Sequence, residues 1–306
     1  MKLDVYQVDS FTTTPFQGNP AGVVLDAGGL SELQMRRIAR ELNNSETAFV
    51  IERPGEGYDV EVRFFTPTRE VPICGHATIA AHYVYARVKG IARGTVVQKT
   101  KAGILPVEIV DDGDEGGAGE TRIVMTQAAI EFGATIEGAA RERLLEGLRI
   151  DESEIDGRCP IQIVSTGHSK VLVPIRTKRA LDAMRIDEAK LSDLSESIGC
   201  NGYYAFTFDS GEEGTLVSGR MFAPAIGIRE DPVTGNANGP LGAYLTRYGV
   251  IEGRSEGYAF RIKQGEAIDR KGYMDVYVYS DDTGPRLVKI GGRACIAFKT
   301  ELEIPS

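Results

Sequence analysis

Residues Glu230–Gly249 read EDPVTGNANGPLGAYLTRYG, a polar, glycine-rich turn that opens directly into an apolar helix. The first half of the chain carries an echo of it. Cys74–Gly90 reads CGHATIAAHYVYARVKG, with Gly75-His76-Ala77 standing where Gly235-Asn236-Ala237 stand later. A Phe-x-Pro step precedes each turn, at Phe65-Thr66-Pro67 and Phe222-Ala223-Pro224, and each helical run ends on a glycine suited to a left-handed C-cap. A helix that starts on small residues presents backbone N–H groups with no intrahelical acceptor and the positive end of its dipole. Two such helices facing one another would hold an anion from both sides, so the turns are expected to form the floor of an active site.

Outward from the turns, other elements recur in the same order. Thr166-Gly167-His168-Ser169 is placed like Gly18-Asn19-Pro20, and Val171-Leu172-Val173 answers Val23-Val24-Leu25. Tyr203-Tyr204-Ala205-Phe206 matches Glu46-Thr47-Ala48-Phe49, which sets Tyr203 where the first copy has Glu46. Phe260–Gly265 repeats the hairpin entry at Gly103. The offset between copies stays between the 149 residues of Gly18/Gly167 and the 162 of Gly103/Gly265, a drift that surface-loop insertions would produce. The pattern predicts two homologous domains, 1–127 and 128–306, packed about a pseudo-twofold axis with a cleft between them. A C-terminal strand near 287–300 is expected to cross back to the first domain.

Within the first copy, residues 1–8 alternate as a strand, Thr14–Gly22 reads as a loop, and Val23–Leu25 reads as a short strand. Ser31 and Gln34 form a capping box ahead of a helix whose apolar face is Met35, Ile38, Ala39 and Leu42. The run Ala77–Lys89 is apolar on nearly every face and should be enclosed on all sides. Val96–Gln98 and Leu105–Ile109 form a hairpin, and residues 111–120, DDGDEGGAGE, read as a solvated loop. Beyond Met125 come a linker, a helix near Gly138–Leu148, and a later one through Leu191, Leu194 and Ile198.

The chain has 306 residues, 42% hydrophobic and 26% charged, enough to bury a large core. Its formal charge is -9, and the 35 basic residues are scattered, which argues against nucleic acid or an anionic membrane as partner. The amino terminus lacks the unbroken apolar core of a secretory signal, and no apolar run is long enough to span a bilayer. The four cysteines, Cys74, Cys159, Cys200 and Cys295, are far apart with no CxxC pair, as in a reduced cytoplasmic protein.

Glu46, at the mouth of a strand, is the leading general acid/base candidate. An apolar cleft walled by Phe49, Phe64 and Phe65 would bring its pKa toward neutrality, whereas the plainer reading is an exposed surface carboxylate. His76 lies in the first turn of its helix, placed to donate to a substrate carboxylate or to make a cap hydrogen bond. Asp231, before Pro232, could orient a bound group or fix the turn. Asn19, Gly75, Ala77, Gly235, Asn236 and Ala237 are the expected substrate contacts. A pair of thiols at the two helix starts would signal a two-base racemase, but the counterpart of Cys74 is Thr234, so Cys74 reads as a packing residue. His82 reads as a core or rim residue. No phosphate loop, dinucleotide fingerprint, zinc HExxH pair or GxSxG elbow is present, and neither a metal nor a cofactor is expected.

DSFTTTPFQGNPAGVV at 9–24, SETAFV at 45–50, FFTPTREVPICGHATIAAHYV at 64–84 and EDPVTGNANGP at 230–240 resemble the phenazine-biosynthesis isomerase family, PhzF-like proteins, and especially its uncharacterised bacterial YddE-type members. The resemblance covers nearly the whole chain. It implies an α+β diaminopimelate-epimerase-like fold, each domain a curved, mostly antiparallel sheet rolled around a central apolar helix. It also implies a cofactor-independent isomerase, commonly a homodimer, in which Glu46 moves a proton between carbons while His76, Asp231 and Asn236 line the substrate site. The family's phenazine enzyme has serine where this chain has Asn236 and alanine where it has Cys74, so the reaction type carries over better than the substrate. The expected function is proton transfer within a small anionic carboxylate. The alternatives are an amino-acid racemase using Cys74 and a non-catalytic binding protein with the same cleft.

Overall fold

A computed structural model describes residues 2–113 and 121–304 of the chain. Residues 114–120, most of the stretch expected to be a solvated acidic loop, lie outside the described residues. The chain divides into two compact units, Met1–Thr126 with Gly291–Ser306, and Gln127–Ile290. The second crossing between them falls inside the last strand.

The first unit runs β1 (Lys2–Ser10), β2 (Asn19–Val24), α1 (Glu32–Leu42), β3 (Thr47–Ile51), β4 (Val60–Phe65), β5 (Glu70–Val71), α2 (Gly75–Lys89), β6 (Gly94–Thr100), β7 (Gly103–Asp111) and β8 (Thr121–Thr126). Helix α1 starts where Ser31 accepts from the Gln34 N–H and the Gln34 side chain accepts from the Ser31 N–H, the expected capping box. Its Met35, Ile38 and Ala39 pack with Leu3, Val5, Phe49 and Phe65, the last two rings meeting edge to face at 5.5 Å. Phe49 and Phe65 are thus spent in the core beneath α1.

Helix α2 is buried from His76 to Val84 and again at Ala86, and it touches β1, β2, β3, β7 and β8. A strand order that reaches one helix from so many sides must curl around it. Gly90, at φ 67°, ends α2 in the left-handed conformation foreseen for it. Strand β2 begins at Asn19, four residues before the expected Val23, because Asn19–Gly22 already pair with β1. Pro20, which has no N–H to give, is accommodated at the strand's start, where β3 has not yet joined. Gly22 is required for the close approach, since a Cβ there would lie 2.7 Å from Thr47 Oγ1 and 2.8 Å from Leu42 Cδ1.

The second unit runs β9 (Glu131–Thr135), α3 (Gly138–Leu148), β10 (Gln162–Ser165), β11 (Lys170–Pro174), α4 (Lys178–Ala183), α5 (Glu188–Ile198), β12 (Tyr203–Thr207), β13 (Val217–Ala223), β14 (Ile228–Asp231), α6 (Gly235–Arg247), β15 (Tyr258–Gln264), β16 (Gly272–Asp281) and the shared β17 (Gly284–Glu303). Strand β9 occupies the segment expected to be a linker. Its exposed residues give no alternation, and its order comes from pairing with β10. Helix α6 is buried on nearly every face and touches β10, β11 and β16. It packs on β16 closely enough that a Cβ at Gly242 would meet both Val276 and Val278 at 2.7 Å. Pro240 lies inside α6 and cannot donate to the Asn236 carbonyl four residues earlier.

Strand pairing repeats between the units. β2 is parallel to β3 as β11 is to β12, and β3 is antiparallel to β4 as β12 is to β13. β4 pairs antiparallel with β5 and parallel with β6, as β13 does with β14 and β15. A bidentate Arg–Glu pair repeats too. Arg63 donates to Glu70 at 2.8 and 2.7 Å and Arg220 to Glu230 at 2.9 and 2.8 Å, each guanidinium lying over the phenylalanine two residues on, Phe65 or Phe222, at 5.2 or 5.0 Å.

This register corrects one expected match. Thr47 lies opposite Phe65 and Tyr203 opposite Phe222, while Glu46 O accepts from the Gly22 N–H as Gly202 O accepts from the Val171 N–H. The counterpart of Glu46 is therefore Gly202, not Tyr203. The likeness of Ala48-Phe49 to Ala205-Phe206 had shifted the match by one residue, which strand pairing does not permit.

Candidate active site

At the start of α2 three titratable side chains meet. Cys74 is the N-cap, in extended conformation, and its carbonyl accepts the first helical bond from the Thr78 N–H at 2.9 Å. Helix geometry leaves the N–H groups of Gly75, His76 and Ala77 without an intrahelical acceptor. The buried His76 ring lies between partners: Nδ1 is 3.4 Å from Cys74 Sγ, and Nε2 is 3.5 Å from Glu46 Oε2 and 3.3 Å from Ser45 Oγ. A carboxylate can only accept, so the contact with Glu46 favours the proton on Nε2 and leaves Nδ1 to accept from the thiol. The separation of 3.5 Å is long for a hydrogen bond, and the Glu46 side chain keeps 19% of its surface exposed. Its carboxylate is near the imidazole without being locked to it.

Ser10, at the end of β1, donates to the His76 carbonyl at 2.8 Å and lies opposite the buried Asn19 in the β1–β2 pairing. Asn19, Glu46, Gly75, His76 and Ala77 thus belong to one neighbourhood of the first unit. The ligating atoms of Glu46, Cys74 and His76 lie within 4.8 Å of one another. Thiol and carboxylate, however, sit on opposite nitrogens of one ring.

At the start of α6 the equivalent positions hold a rigid polar network. The Asp231 carboxylate accepts from Thr234 Oγ1, which fixes the turn, and Gln264 Nε2 donates to Asp231 O at 2.8 Å and to Thr234 Oγ1 at 3.1 Å. Gln264 Oε1 accepts from Thr234 N at 3.2 Å and from Asn238 Nδ2 at 2.9 Å, and Asn238 Oδ1 accepts from Tyr204 OH. Gly235 and Ala237 are buried in the first turn, and Asn236 is half-buried beside them. The turn-fixing role for Asp231 is therefore realised.

Ser10, Ser45, Asn238 and Gln264 were not singled out from sequence. Ser45 had a signal in its place next to Glu46 and Asn238 in its place one turn after Thr234, but Ser10 and Gln264 reach the site from distant segments. His82 is a core residue as expected: it is buried on the inner face of α2, bonded to Gln98 Oε1 at 3.0 Å, and burial pushes its pKa down to about 4. An open cavity of about 600 Å³ in the second unit, lined by Lys178, Arg185, Arg220, Glu230 and Glu266, contains none of the expected site residues. Its charges are largely paired with each other. No helix among the described residues is long and apolar enough to cross a membrane.

With this geometry in place, comparison with known proteins is informative. Residues 8–300 match the family model for phenazine biosynthesis-like proteins, PhzC-PhzF. An uncharacterized isomerase of Clostridium acetobutylicum is 52% identical over 98% of each chain. The trans-2,3-dihydro-3-hydroxyanthranilate isomerase of Pseudomonas chlororaphis is 34% identical over 87% of each chain. A crystal structure of a Bacillus anthracis PhzF-family phenazine biosynthesis protein superposes with a TM-score of 0.88 at 33% identity, over 99% of this chain and 100% of that one. A mixed α+β architecture with a helix wrapped by sheet in each unit, a titratable cluster at one helix start, and relatives of this kind over the full length lead to one conclusion: the chain belongs to the phenazine biosynthesis-like family and is an isomerase.

Proposed function

We propose that the protein moves a proton between two carbons of a small carboxylate substrate, with the Glu46 carboxylate taking it from one carbon and returning it to the other. The supporting observation is the placement of Glu46 beside His76 at the first turn of α2. A carboxylate held by a long contact to an imidazole can accept and release a proton without breaking a strong ion pair. The N–H groups of Gly75, His76 and Ala77 would stabilise the enolate-like charge that forms as the proton leaves. Such a transfer needs no electron sink beyond the substrate's own carbonyl or conjugated system, so the reaction is proposed to be independent of cofactors. In the second unit, Asp231, Gly235, Asn236 and Ala237 are proposed as further substrate contacts.

The relative from Pseudomonas chlororaphis acts, by its name, on an amino-carboxylate bearing a hydroxyl group, and that class is the starting point for a substrate search. The working form is proposed to be a cytoplasmic homodimer, which light scattering of the purified protein would check. Solvent deuterium should enter the product during turnover, and Glu46→Gln should stop that incorporation while leaving ligand binding largely intact. Full incorporation by Glu46→Gln would remove the residue from this role.

One observation favours a second reading. Cys74 Sγ lies 3.4 Å from His76 Nδ1, a place where an imidazole could draw the thiol proton and make a racemase base. Its counterpart at the start of α6 is Thr234, so a second thiol is missing there. Chiral analysis after incubation with L-amino acids separates the two: Cys74→Ser should abolish racemisation under the thiol reading and change isomerisation by less than about threefold under the glutamate reading. A ligand that binds without any hydrogen exchange, in wild type and Glu46→Gln alike, would instead indicate a binding protein.

A further inference from the structure

The place held by Glu46 in the first unit is not left empty in the second. Gly202 has no side chain, and the space above it is filled by Lys170. A Cβ built on Gly202 would lie 2.3 Å from Lys170 Cδ, 2.7 Å from Cε and 3.3 Å from Nζ. In the first unit the corresponding strand position, by the hydrogen bonds that match Gly22 to Val171, is Ala21, which is too small to reach across. The two units therefore exchange their chemistry at matched positions. One sets a carboxylate on the β3 side and a methyl group on the β2 side, and the other sets nothing on the β12 side and an ammonium on the β11 side.

Lys170 is 5% exposed, and its Nζ donates to His168 Nδ1 at 3.0 Å and to Ser169 O at 3.1 Å. Both acceptors are neutral, because the nearby ammonium and burial hold the His168 imidazole below its usual pKa. Among the described residues no carboxylate lies within 4 Å of Nζ. The opposing charges that bear on it, Cys200 and Asp231, act at longer range. A buried ammonium without an ion pair is costly, and a fold that only needed packing over Gly202 could fill the space with an apolar chain. The third N–H of the ammonium remains for an anion.

We propose that Lys170 is the anion-binding and specificity residue of the second unit, receiving a carboxylate at the position that corresponds to Glu46 in the first. The inference rests on the reading of the substrate as a small carboxylate and adds the group that selects it. In the duplicated frame one copy carries a carboxylate at this place and the other a buried ammonium.

The test compares 3-hydroxyanthranilate with its neutral amide, 2-amino-3-hydroxybenzamide, by calorimetry on the full chain at pH 7. Wild type should favour the carboxylate by tenfold or more, and Lys170→Met should reduce that preference to within about twofold, with Lys170→Gln as a second variant. A preference retained in both variants overturns the proposal, as does a wild type that favours the amide or takes neither. If neither variant folds, wild type alone decides. Burial lowers the Lys170 pKa to about 8, so the ammonium, and with it the preference, should fade as pH rises from 7 to 9.5, and a preference that stays flat overturns the proposal. His168, Cys200 and Asp231 are the titratable groups around Lys170. Glu46→Gln should keep the preference while losing deuterium incorporation, so this inference and the proton-shuttle reading fail separately.

Discussion

At the start of α2 an imidazole stands between a thiol and a carboxylate, whereas at the start of α6 the same three positions carry Thr234, the amide of Asn236 and a glycine, Gly202. Around them the frame is unchanged. Each helix opens on a glycine, and each N-cap carbonyl receives a side-chain bond from four residues on, from Thr78 in one unit and Asn238 in the other. Strand pairing and the bidentate Arg–Glu pair repeat as well. The difference teaches that the backbone donors belong to the shared frame, and the thiol, imidazole and carboxylate to one copy. The second copy has instead used its side chains to rigidify the turn through Gln264 and Asn238, with Lys170 a buried ammonium over Gly202.

The sharpest way to break this asymmetry is to remove the carboxylate from the copy that has it. Glu46→Gln should lower kcat by about 10²–10⁴-fold, the range for loss of a positioned acid/base, with KM for the substrate little changed. A loss of only a few-fold, measured by steady-state kinetics, would mean that the first unit holds no privileged base and that the two helix starts are chemically closer than their residues suggest.

The next effect tests a feature that the units share. Arg220 and Glu230 are each 8% exposed, and Arg220 also donates to the carbonyls of Leu181 and Met184, so removing one charge strands the other inside the protein. Glu230→Gln should cost about 3–5 kcal/mol in urea unfolding. Glu70→Gln should cost less, because Arg63 is 22% exposed and already has Glu32 at 3.0 Å to turn to. Equal losses would show that the part-buried pair is as tightly coupled as the buried one.

A third test uses a position where the copies differ inside the core. His82 on α2 corresponds to Gly242 on α6. The first is a neutral imidazole against Gln98, with its Nδ1 and the Gln98 Nε2 left without a partner, and the second is bare backbone pressed on Val276 and Val278. Burial lowers the His82 pKa to about 4. Between about pH 6.5 and 4 the unfolded chain binds a proton that the folded chain refuses, so His82 subtracts stability progressively as pH falls through that window, by about 3 kcal/mol at pH 4. His82→Leu should flatten the acid limb of the stability–pH curve by that amount relative to wild type. An unchanged limb would place water or another acceptor at Nδ1.

These comparisons also mark what residue order reveals. The two glycine turns, the capping box at Ser31, the apolar helix over Ala77–Lys89 and the hairpin closed at Gly103 were all legible, because each is a local pattern of turn residues or periodicity. So was the likeness of the copies, and Glu46 and His76 stood out by their place beside a turn. The one-residue error that set Tyr203 against Glu46 came from matching side chains where backbone pairing decides. Strand β9 was missed because its exposed residues carry no alternation. Lys170 was passed over because nothing near it in the chain shows that Gly202 clears its path, and Gln264 joins the Asp231 network from more than thirty residues away.

The smallest effect is expected where the copies agree, and agreement is the informative result. Gly90 and Gly249 follow the two central helices at φ 67° and 68°, and neither would meet any atom within 4 Å if given a Cβ. With packing removed from the problem, Gly→Ala at either site should register only the cost of holding an L-residue in the left-handed region, about 1 kcal/mol. The two helix ends differ in detail, since Gly90 is itself the cap of α2, whereas α6 is capped by Tyr248 with Gly249 one residue beyond. Matched losses in denaturant unfolding would show that the left-handed residue sets the cost at both ends, whatever the cap. A loss at Gly90 alone would show that Tyr248 already ends α6 and that the second glycine is a spectator, in which case the duplicated frame is kept at the helix starts and relaxed at their far ends.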